Sequence, residues 1–519
     1  MNPRKVLTPA QMKAVDEATI AAGIPGIILM ENAAHAVVDY IAAKFAPVSS
    51  QNIVVVCGKG GNGGDGLAIA RMLQVRFQPR NLWIVLACDP SELTGDAGVN
   101  LRMLNAVGLE VSPAVGPEMS FATLVVDAVL GTGLNGPASG RPLDAIHAMN
   151  AQFPLARVVA VDIPSGLSGA TGEIPGEYVR ADATVTFTAP KVCHVLAPAA
   201  NCMGDLRISA IGSRPDLDED DAAINLALIT PESVGSLFAP RRTDGNKGRY
   251  GHVLVVAGSR GKSGAAAMCA LAALRAGAGL VTVACPASAL PAIAAVAPEL
   301  MTEALPETES GLLAASAYDR ILELAATRNV IAIGPGLGQS VELTDLIGRL
   351  FSTLPQPVVL DADALNALAG SNWGAPNAAR ILTPHPGEMS RLAGTTVSAV
   401  QADRVAAARS VATQRASTIV LKGERTLLAF PDGRVWVNPT GSPAMATGGT
   451  GDILTGMAAG LIAQFPADID RALAGAVYLH GKAGEMAARD LGEQPVIATD
   501  LLRYLPEGIR GIANPPHAL

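Results

Sequence analysis

Short aliphatic runs recur along this chain, and several of them end in glycine and aspartate. NIVVVC (52–57) runs into GKGGNGGDG (58–66), TLVVDAVLG (123–131) into TGLNGP (132–137), and RVVAVD (157–162) into IPSG (163–166). Continuous β-branched runs suit strands covered on both faces. Helical spacing between them predicts right-handed crossovers and a parallel sheet. With 49% hydrophobic but only 3% aromatic residues, the core must come from Ala, Val, Leu and Ile.

Thr8-Pro9-Ala10-Gln11 reads as a capping box opening a helix to about Ala22. Further helices are expected over 27–45, 66–77 and 92–107, with strands at 52–57, 81–88, 123–131 and 157–166. ATVTFT (183–188) is expected to extend the sheet at one edge, and DLDEDD (216–221) reads as a solvated linker. Beyond it the pattern restarts: GHVLVVAG (251–258), LVTVAC (280–285), NVIAIG (329–334), PVVLDAD (357–363) and STIVLKG (417–423) as strands, then a hairpin turning at Asp432-Gly433 and two closing helices. At about 100–200 residues per domain, 519 residues predict more than one. Two α/β units are expected, 1–222 and 225–519.

A net charge of −8 argues against a nucleic-acid binder, which normally carries a basic footprint. It leaves room for a phosphorylated small ligand, because backbone amides bind anions without net positive charge. The six cysteines form neither C-x-x-C pairs nor zinc-spaced clusters, so a reducing cytoplasm is expected. MNPRKVLTPAQ lacks the apolar stretch of a signal peptide, and the apolar segment 265–286 is broken by Arg275, Gly277 and Gly279. A soluble protein without a membrane partner is expected.

In a parallel sheet, ligands gather at the carboxyl ends of the strands. The loop Gly58–Gly66 joins a strand to a helix, so its glycines allow close backbone approach and the helix start offers free N–H groups. The plain alternative is a tight turn with Asp65 as helix cap. Asp127 and Asp162 close two more strands before glycine-rich exits, and three polar exits on one edge suggest a site. Asp89 stands where a dehydrogenase places its ribose-binding acid, so that reading stays open.

In the second unit, Thr447-Gly448-Gly449-Thr450-Gly451-Asp452 precedes a long apolar helix. Such a loop forms an anion nest, and Asp452 at its end can orient or deprotonate a hydroxyl during phosphoryl transfer. GPGLG (334–338), DADAL (361–365), TPHPGE (383–388) and LKGERT (421–426) accompany it, with His385 fixed between two prolines. Arg241, Arg242, Lys247 and Arg249 read equally as a phosphate clamp or a solvated loop.

LMENAA (29–34), GKGGNGGDG, VVDAVLGTGLNG (125–136), VDIPSG (161–166) and TFTAPK (186–191) resemble the NAD(P)H-hydrate epimerase domain over most of 1–212, with Gly61 where that family usually has asparagine. The resemblance implies a Rossmann-like three-layer sandwich and a potassium site on Asn62, Asp127 and Ser165. It implies substrate contacts at Gly61, Asn62, Gly63, Gly64, Asp65, Gly131, Thr132, Gly133, Leu134, Asn135, Gly136, Pro137 and Asp162. Asp162 is then the candidate acid/base, or the partner of a transient ring cation. GSRGKSGAAAM, GPGLG, DADAL, TPHPGEM, LKG and GGTGD resemble the dehydratase branch of the ribokinase-like superfamily over about 230–505. That resemblance implies hydrate contacts at Ala265, Gly336, His385 and Asp452, and adenine-nucleotide contacts at Lys422, Gly423, Glu424, Arg425, Thr426 and Gly451. It further implies magnesium, ADP (or ATP) as co-substrate and a homo-oligomer, a tetramer.

Together these describe repair of water-damaged NADH and NADPH: one unit interconverts the R and S hydrates, the other dehydrates S. The competing readings are a small-molecule kinase fused to a Rossmann-like sensor, a non-catalytic N-terminal binding module, and an NAD-dependent dehydrogenase.

Overall fold

The computed structural model describes residues 2–513 apart from 135, 242, 371–373 and 375. It divides into two compact units, Lys5–Ile224 and the region from Asn225 onward. The segment ending at Arg4 groups with the later unit, whose sheet takes β1 (Arg4–Lys5) as an edge strand.

The first unit has one six-stranded sheet of β2 (Asn52–Cys57), β3 (Asn81–Leu86), β4 (Leu124–Ala128), β5 (Arg157–Val161), β6 (Ala183–Phe187) and β7 (Asp205–Ser209). Its order is β3-β2-β4-β5-β6-β7 and all neighbours are parallel. Every residue of β2 is buried, because its side chains alternate between two cores. Ile53, Val55 and Cys57 join Leu67, Ile69 and Leu73 of the helix Gly61–Phe77. Val54 and Val56 join Ile146 and Met149 of the helix Arg141–Ala151 on the other face. This is the three-layer sandwich expected of a doubly wound unit.

The Thr8 capping box forms as read, Thr8 N–H donating to Gln11 Oε1 (2.9 Å) and Gln11 N–H to Thr8 Oγ1 (3.3 Å). Three local expectations need correction. The strand over 183–187 lies inside the sheet, and β7 is its edge. DLRIS alternates polar and apolar residues, so it lacked the continuous run that marked the others. The helix expected from Gly66 begins at Gly61, capped by Gly60, so Asp65 lies inside the helix and caps nothing. Helix 92–107 is a short 3-10 turn, Pro90–Glu92, followed by Gly95–Ala106.

The second unit's sheet contains β8 (Leu226–Leu228), β9 (His252–Val256), β10 (Leu280–Pro286), β11 (Met301–Leu305), β12 (Val330–Ile333), β13 (Val358–Leu360), β14 (Arg380–Leu382), β15 (Thr418–Leu421), β16 (Leu427–Ala429) and β17 (Val435–Val437). From β11 through β10, β9, β12, β13 and β14 to β15 the strands run parallel. The hairpin β16–β17 adds antiparallel strands beyond β15, and β8 pairs with β17. Against this sheet the alanine-rich helix Ser263–Arg275 packs on the helix Thr450–Gln464. The two backbones touch at Gly456, where a Cβ would stand 1.9 Å from the Cys269 carbonyl oxygen. That contact fixes where the helix start at Thr450 meets the strand ends.

Candidate active sites

In the first unit, strand order reverses between β2 and β4, and both exits there are glycine-built. Gly58 N–H donates to the Ala128 carbonyl (3.0 Å), and a Cβ on Gly58 would lie 2.0 Å from the Val129 oxygen. Only glycine lets the two exits cross so closely. A cavity of about 770 Å³ opens above them. Of the expected contacts, Gly61, Asn62, Asp65, Gly131, Thr132, Gly133, Leu134 and Asp162 line it. Gly63 and Gly64 do not line it; both are buried under the turn, where their backbone shape matters. Gly136 and Pro137 are exposed and also absent from the lining. Asn135 lies outside the described residues.

Asp162 sits at a positive φ of 64°, in the left-handed region that non-glycine residues sparsely populate. Its Oδ1 accepts hydrogen bonds from Lys191 Nζ (2.7 Å) and Thr186 Oγ1 (2.8 Å). Lys191 is only 1% exposed, and its ammonium also donates to Thr186 Oγ1 (2.9 Å) and the Phe187 carbonyl (3.0 Å). Burial pushes the Asp162 carboxyl up, but Lys191, with help from His194 and Thr186, outweighs it and holds the group below the usual range. His194 Nδ1 accepts from the Lys191 N–H (2.9 Å), so the neutral ring carries its proton on Nε2 and donates it to the Asp162 carbonyl (3.0 Å). Burial and the Lys191 charge keep that ring neutral, its pKa pushed down to about 4.

Asp127 is fully buried. Ser165 donates to it twice, N–H to Oδ2 (2.7 Å) and Oγ to Oδ1 (2.5 Å). Burial pushes its pKa up to about 6 against those donors, and no side-chain cation is among the causes. Asn62 Nδ2 donates to the Leu130 carbonyl (3.0 Å), which leaves Asn62 Oδ1 buried and without a hydrogen-bond partner among the described residues. An uncompensated carboxylate beside an orphaned amide oxygen and a hydroxyl fits a hard monovalent cation held by oxygen. Among the described residues there is no cluster of three or more His, Cys, Asp or Glu side chains, which a transition metal would favour.

Asp89, the candidate ribose-binding acid of a dehydrogenase, is engaged in its own turn. It accepts from Ser91 N–H (2.9 Å) and does not line the cavity.

In the second unit the expected residues converge at the carboxyl ends of β12 to β15. Lys422 Nζ lies 2.7 Å from Asp361 Oδ1 and 3.9 Å from Glu388 Oε2. Thr455 Oγ1 donates to the other oxygen of Asp361 (2.8 Å). A Cβ on Gly451 would lie 3.2 Å from the Lys422 ammonium, so this charge stands over the first turn of the helix Thr450–Gln464. Asp452, in that turn, has its pKa pushed up to about 7 by burial and then by Asp361, with Lys422 pulling down. His480 Nε2 lies 2.9 Å from the Thr450 carbonyl.

His385 caps its helix: Nδ1 accepts from the Gly387 N–H (3.0 Å), and Nε2 of the exposed ring lies 3.6 Å from Glu388 Oε1. Glu388 accepts from the His385 N–H (2.8 Å). Gly336 and Ala265 adjoin, since a Cβ on Gly336 would stand 3.1 Å from that of Ala265. GPGLG is tied to DADAL by the Gly338 N–H donating to Asp363 (2.8 Å). Gly423, Glu424, Arg425 and Thr426 form the exit of β15. Arg404 fastens it by donating to the Leu421 (3.2 Å), Lys422 (3.3 Å) and Glu424 carbonyls. Arg425 sits at a φ of 53°. Arg241 is committed elsewhere, stacked 3.9 Å from the Tyr250 ring and bonded to the Gly277 carbonyl; Arg242 lies outside the described residues.

Sequence reasoning missed Lys191, Thr186, Asp361 and Thr455. The signals were present in TFTAPK and DADAL, but nothing local told which side chains point at Asp162 or Lys422.

These two units, each carrying a paired carboxylate and ammonium beside a glycine-built helix start at the strand exits of a parallel sheet, have the architecture of α/β enzymes that bind small molecules there. Residues 253–507 match the family model described as NAD(P)H-hydrate dehydratase, and residues 26–193 the one described as YjeF-related protein N-terminus. The bifunctional NAD(P)H-hydrate repair enzyme of Moorella thermoacetica is 42% identical, over 98% of this chain and 97% of its own length. That of Thermofilum pendens is 38% identical over the same shares. Among solved structures, the Bacillus subtilis ADP/ATP-dependent NAD(P)H-hydrate dehydratase, co-crystallised with ATP and magnesium, is 35% identical with a TM-score of 0.50. It covers 56% of this chain and 99% of that one. The chain belongs to the bifunctional NAD(P)H-hydrate repair enzyme family. It joins a Rossmann-like hydrate epimerase domain to a ribokinase-like hydrate dehydratase domain, as the sequence resemblance implied. Among the described residues no single helix is long and apolar enough to cross a membrane.

Proposed function

We infer that the chain restores both hydrate epimers to NAD(P)H with the residues set out above in specific roles. In the first unit the ionised Asp162 steadies the ring cation formed when the C6 hydroxyl departs and the lone pair of N1 moves in. Lys191 and Thr186 fix its charge and direction. Asn62, Asp127 and Ser165 would hold potassium, whose charge would let Asp127 ionise and draw phosphate or amide oxygens of the substrate to the glycine loop. Gly61, Asn62, Asp65 and Gly131 through Leu134 contact the dinucleotide.

In the second unit, Asp452 takes the proton of the C6 hydroxyl as its oxygen attacks the terminal phosphate of the nucleotide. Phosphate then leaves C6, driven by the N1 lone pair, and loss of a proton from C5 completes NAD(P)H. The balance is S hydrate plus ADP (or ATP) to NAD(P)H, AMP (or ADP) and phosphate. Hydroxide leaves poorly and phosphate well, which is why a dehydration uses a kinase-like fold. Lys422 and the Gly451 N–H receive the transferred phosphate; residues 423–426 take the nucleotide; Ala265, Gly336 and His385 contact the hydrate. Magnesium would neutralise phosphate charge, with Glu388 and Asp363 as available oxygen donors. Lys422, Asp361, Glu388 and Asp452 all meeting over one helix start is the observation that carries this assignment.

ADP is the favoured co-substrate, the assembly a tetramer, and the location cytoplasmic, consistent with six cysteines that are all free. The deciding experiment incubates the full chain with mixed R and S hydrates, magnesium, potassium and either ADP or ATP, and follows both epimers and NADH chromatographically. Stable phosphorylation of another small molecule without recovery of NADH would instead favour the kinase reading.

A further inference from the structure

Asp162 alone cannot run an epimerisation by proton transfer. Its carboxyl is held ionised by an ammonium and a hydroxyl, so it has no proton to give. Yet a hydroxyl leaves C6 as water only if something protonates it. His194 is neutral with its one N–H spent on the Asp162 carbonyl, and it does not line the cavity. Lys191 spends its donors on Asp162, Thr186 and Phe187.

One other acid in the cavity is differently placed. Asp16 comes from the helix Pro9–Ala21 and lines the same cavity as Asp162 and Lys191. Its Oδ1 is buried and has no hydrogen-bond partner among the described residues. The charged groups that face Asp16 are Lys191 and Asp162, with Asp65 from the helix Gly61–Phe77. Burial pushes Asp16 up to about 6, Asp162 pushes the same way, and Lys191 pulls back. Asp65 is driven well above the usual range by burial, then by Asp162 and Asp16, which favours its protonated form. Three carboxyls thus share one ammonium, and Asp162 takes it. Two acids whose surroundings drive their protonation apart are the arrangement from which enzymes build an acid and a base.

We propose that Asp16 is a second catalytic residue of the epimerase site, the one that moves the proton at the C6 hydroxyl. Its carboxylic acid protonates that hydroxyl. The C6–O bond breaks, water leaves, and the N1 lone pair forms the N1=C6 cation beside Asp162. Water adds to the opposite face, N1 recovers its pair, and the proton of the entering water passes to Asp162 and from there to solvent while Asp16 is reprotonated. In the reverse direction Asp16 takes the proton from the entering water. Nothing is oxidised or reduced. The inference rests on the epimerase reading above and deepens it.

The test uses the full chain and purified R hydrate, with wild type, Asp16→Asn and Asp16→Glu compared in one assay. Wild type is expected to lose activity as pH rises and Asp16 deprotonates. Asp16→Asn should lower kcat/KM by at least about 100-fold and abolish that falling limb, with an unchanged circular-dichroism spectrum. Asp16→Glu, which restores a carboxyl one methylene longer, should recover part of the rate and the limb. In water enriched in heavy oxygen, wild-type product should carry the label at C6. An Asp16→Asn enzyme with wild-type rate and pH profile overturns the proposal, as does a Glu variant no better than Asn, or epimerisation without label uptake. A wild-type chain that leaves the R hydrate unchanged overturns the epimerase reading itself and this inference with it.

Discussion

Lys191 Nζ lies 2.7 Å from Asp162 Oδ1, and the lysine side chain is 2% exposed against 14% for the aspartate. The ammonium is therefore sealed in the protein while the carboxylate faces the cavity. This asymmetry fixes charge at the site without offering a free cation to solvent.

Removing one partner of such a pair leaves the other buried and uncompensated, at about 3–5 kcal/mol. Lys191→Met should lower stability to urea by that order and remove epimerisation. Asp162→Asn leaves the more deeply buried Lys191 ammonium without its counter-charge, so it should remove epimerisation and lower stability by a similar order. Equal stability of Lys191→Met and wild type would show that the pair carries no net burden in folding.

Asp127 gives a pH-dependent ion effect with a definite sign. Its folded pKa is raised from 3.8 to about 6, so stability falls as pH rises between those values and the full penalty of the ionised form stands above about 6. A bound cation offsets the penalty only where Asp127 is ionised. Potassium chloride should therefore raise the melting temperature of the first unit's transition at pH 8 more than at pH 5, relative to a larger monovalent cation at equal ionic strength. Asp127→Asn should abolish the difference.

Asp452 must be ionised to accept a proton. With its pKa raised to about 7, dehydratase kcat/KM should climb as pH rises through that region and level off above it. Asp452→Asn should cost about 100-fold or more in kcat and show no such climb. A wild-type profile flat from pH 6 to 9 would remove Asp452 from the proton-transfer step.

Gly456 has no room for a methyl group, because a Cβ would meet the Cys269 oxygen at 1.9 Å. Gly456→Ala should force the helix Thr450–Gln464 outward, destabilise the second unit by about 1–3 kcal/mol, and raise the KM for nucleotide by displacing Thr450–Asp452. Thermal unfolding and steady-state kinetics with ADP read the two effects separately.

Much of this was legible in local patterns. Glycine loops, the Thr8 capping box and the aliphatic strands each announce themselves within a few residues, because turn geometry, capping and two-sided burial are short-range requirements. The start of the glycine-loop helix was misplaced for the same reason: GNGG has poor helix propensity, and its helical form depends on tertiary contacts, Gly63 against the Gly58 backbone and Gly64 against Met30 and Ala97. The edge strand Asp205–Ser209 was overlooked because its polar residues face outward.

By itself, the order of residues determined two α/β units built on parallel strands and the family to which each unit belongs, and it pointed to the strand exits where the candidate sites lie. Those depend on periodicity and on glycine and aspartate at strand exits. Only the folded chain decided the chemistry of each aspartate. Lys191 reaches Asp162 across 29 residues, Lys422 reaches Asp361 across 61, and Thr455 reaches Asp361 across 94. Proton affinity depends on distance and dielectric in space rather than on position along the chain, so Asp16, Asp127, Asp162 and Asp452 acquire different tasks only once the sheets bring their neighbours to them.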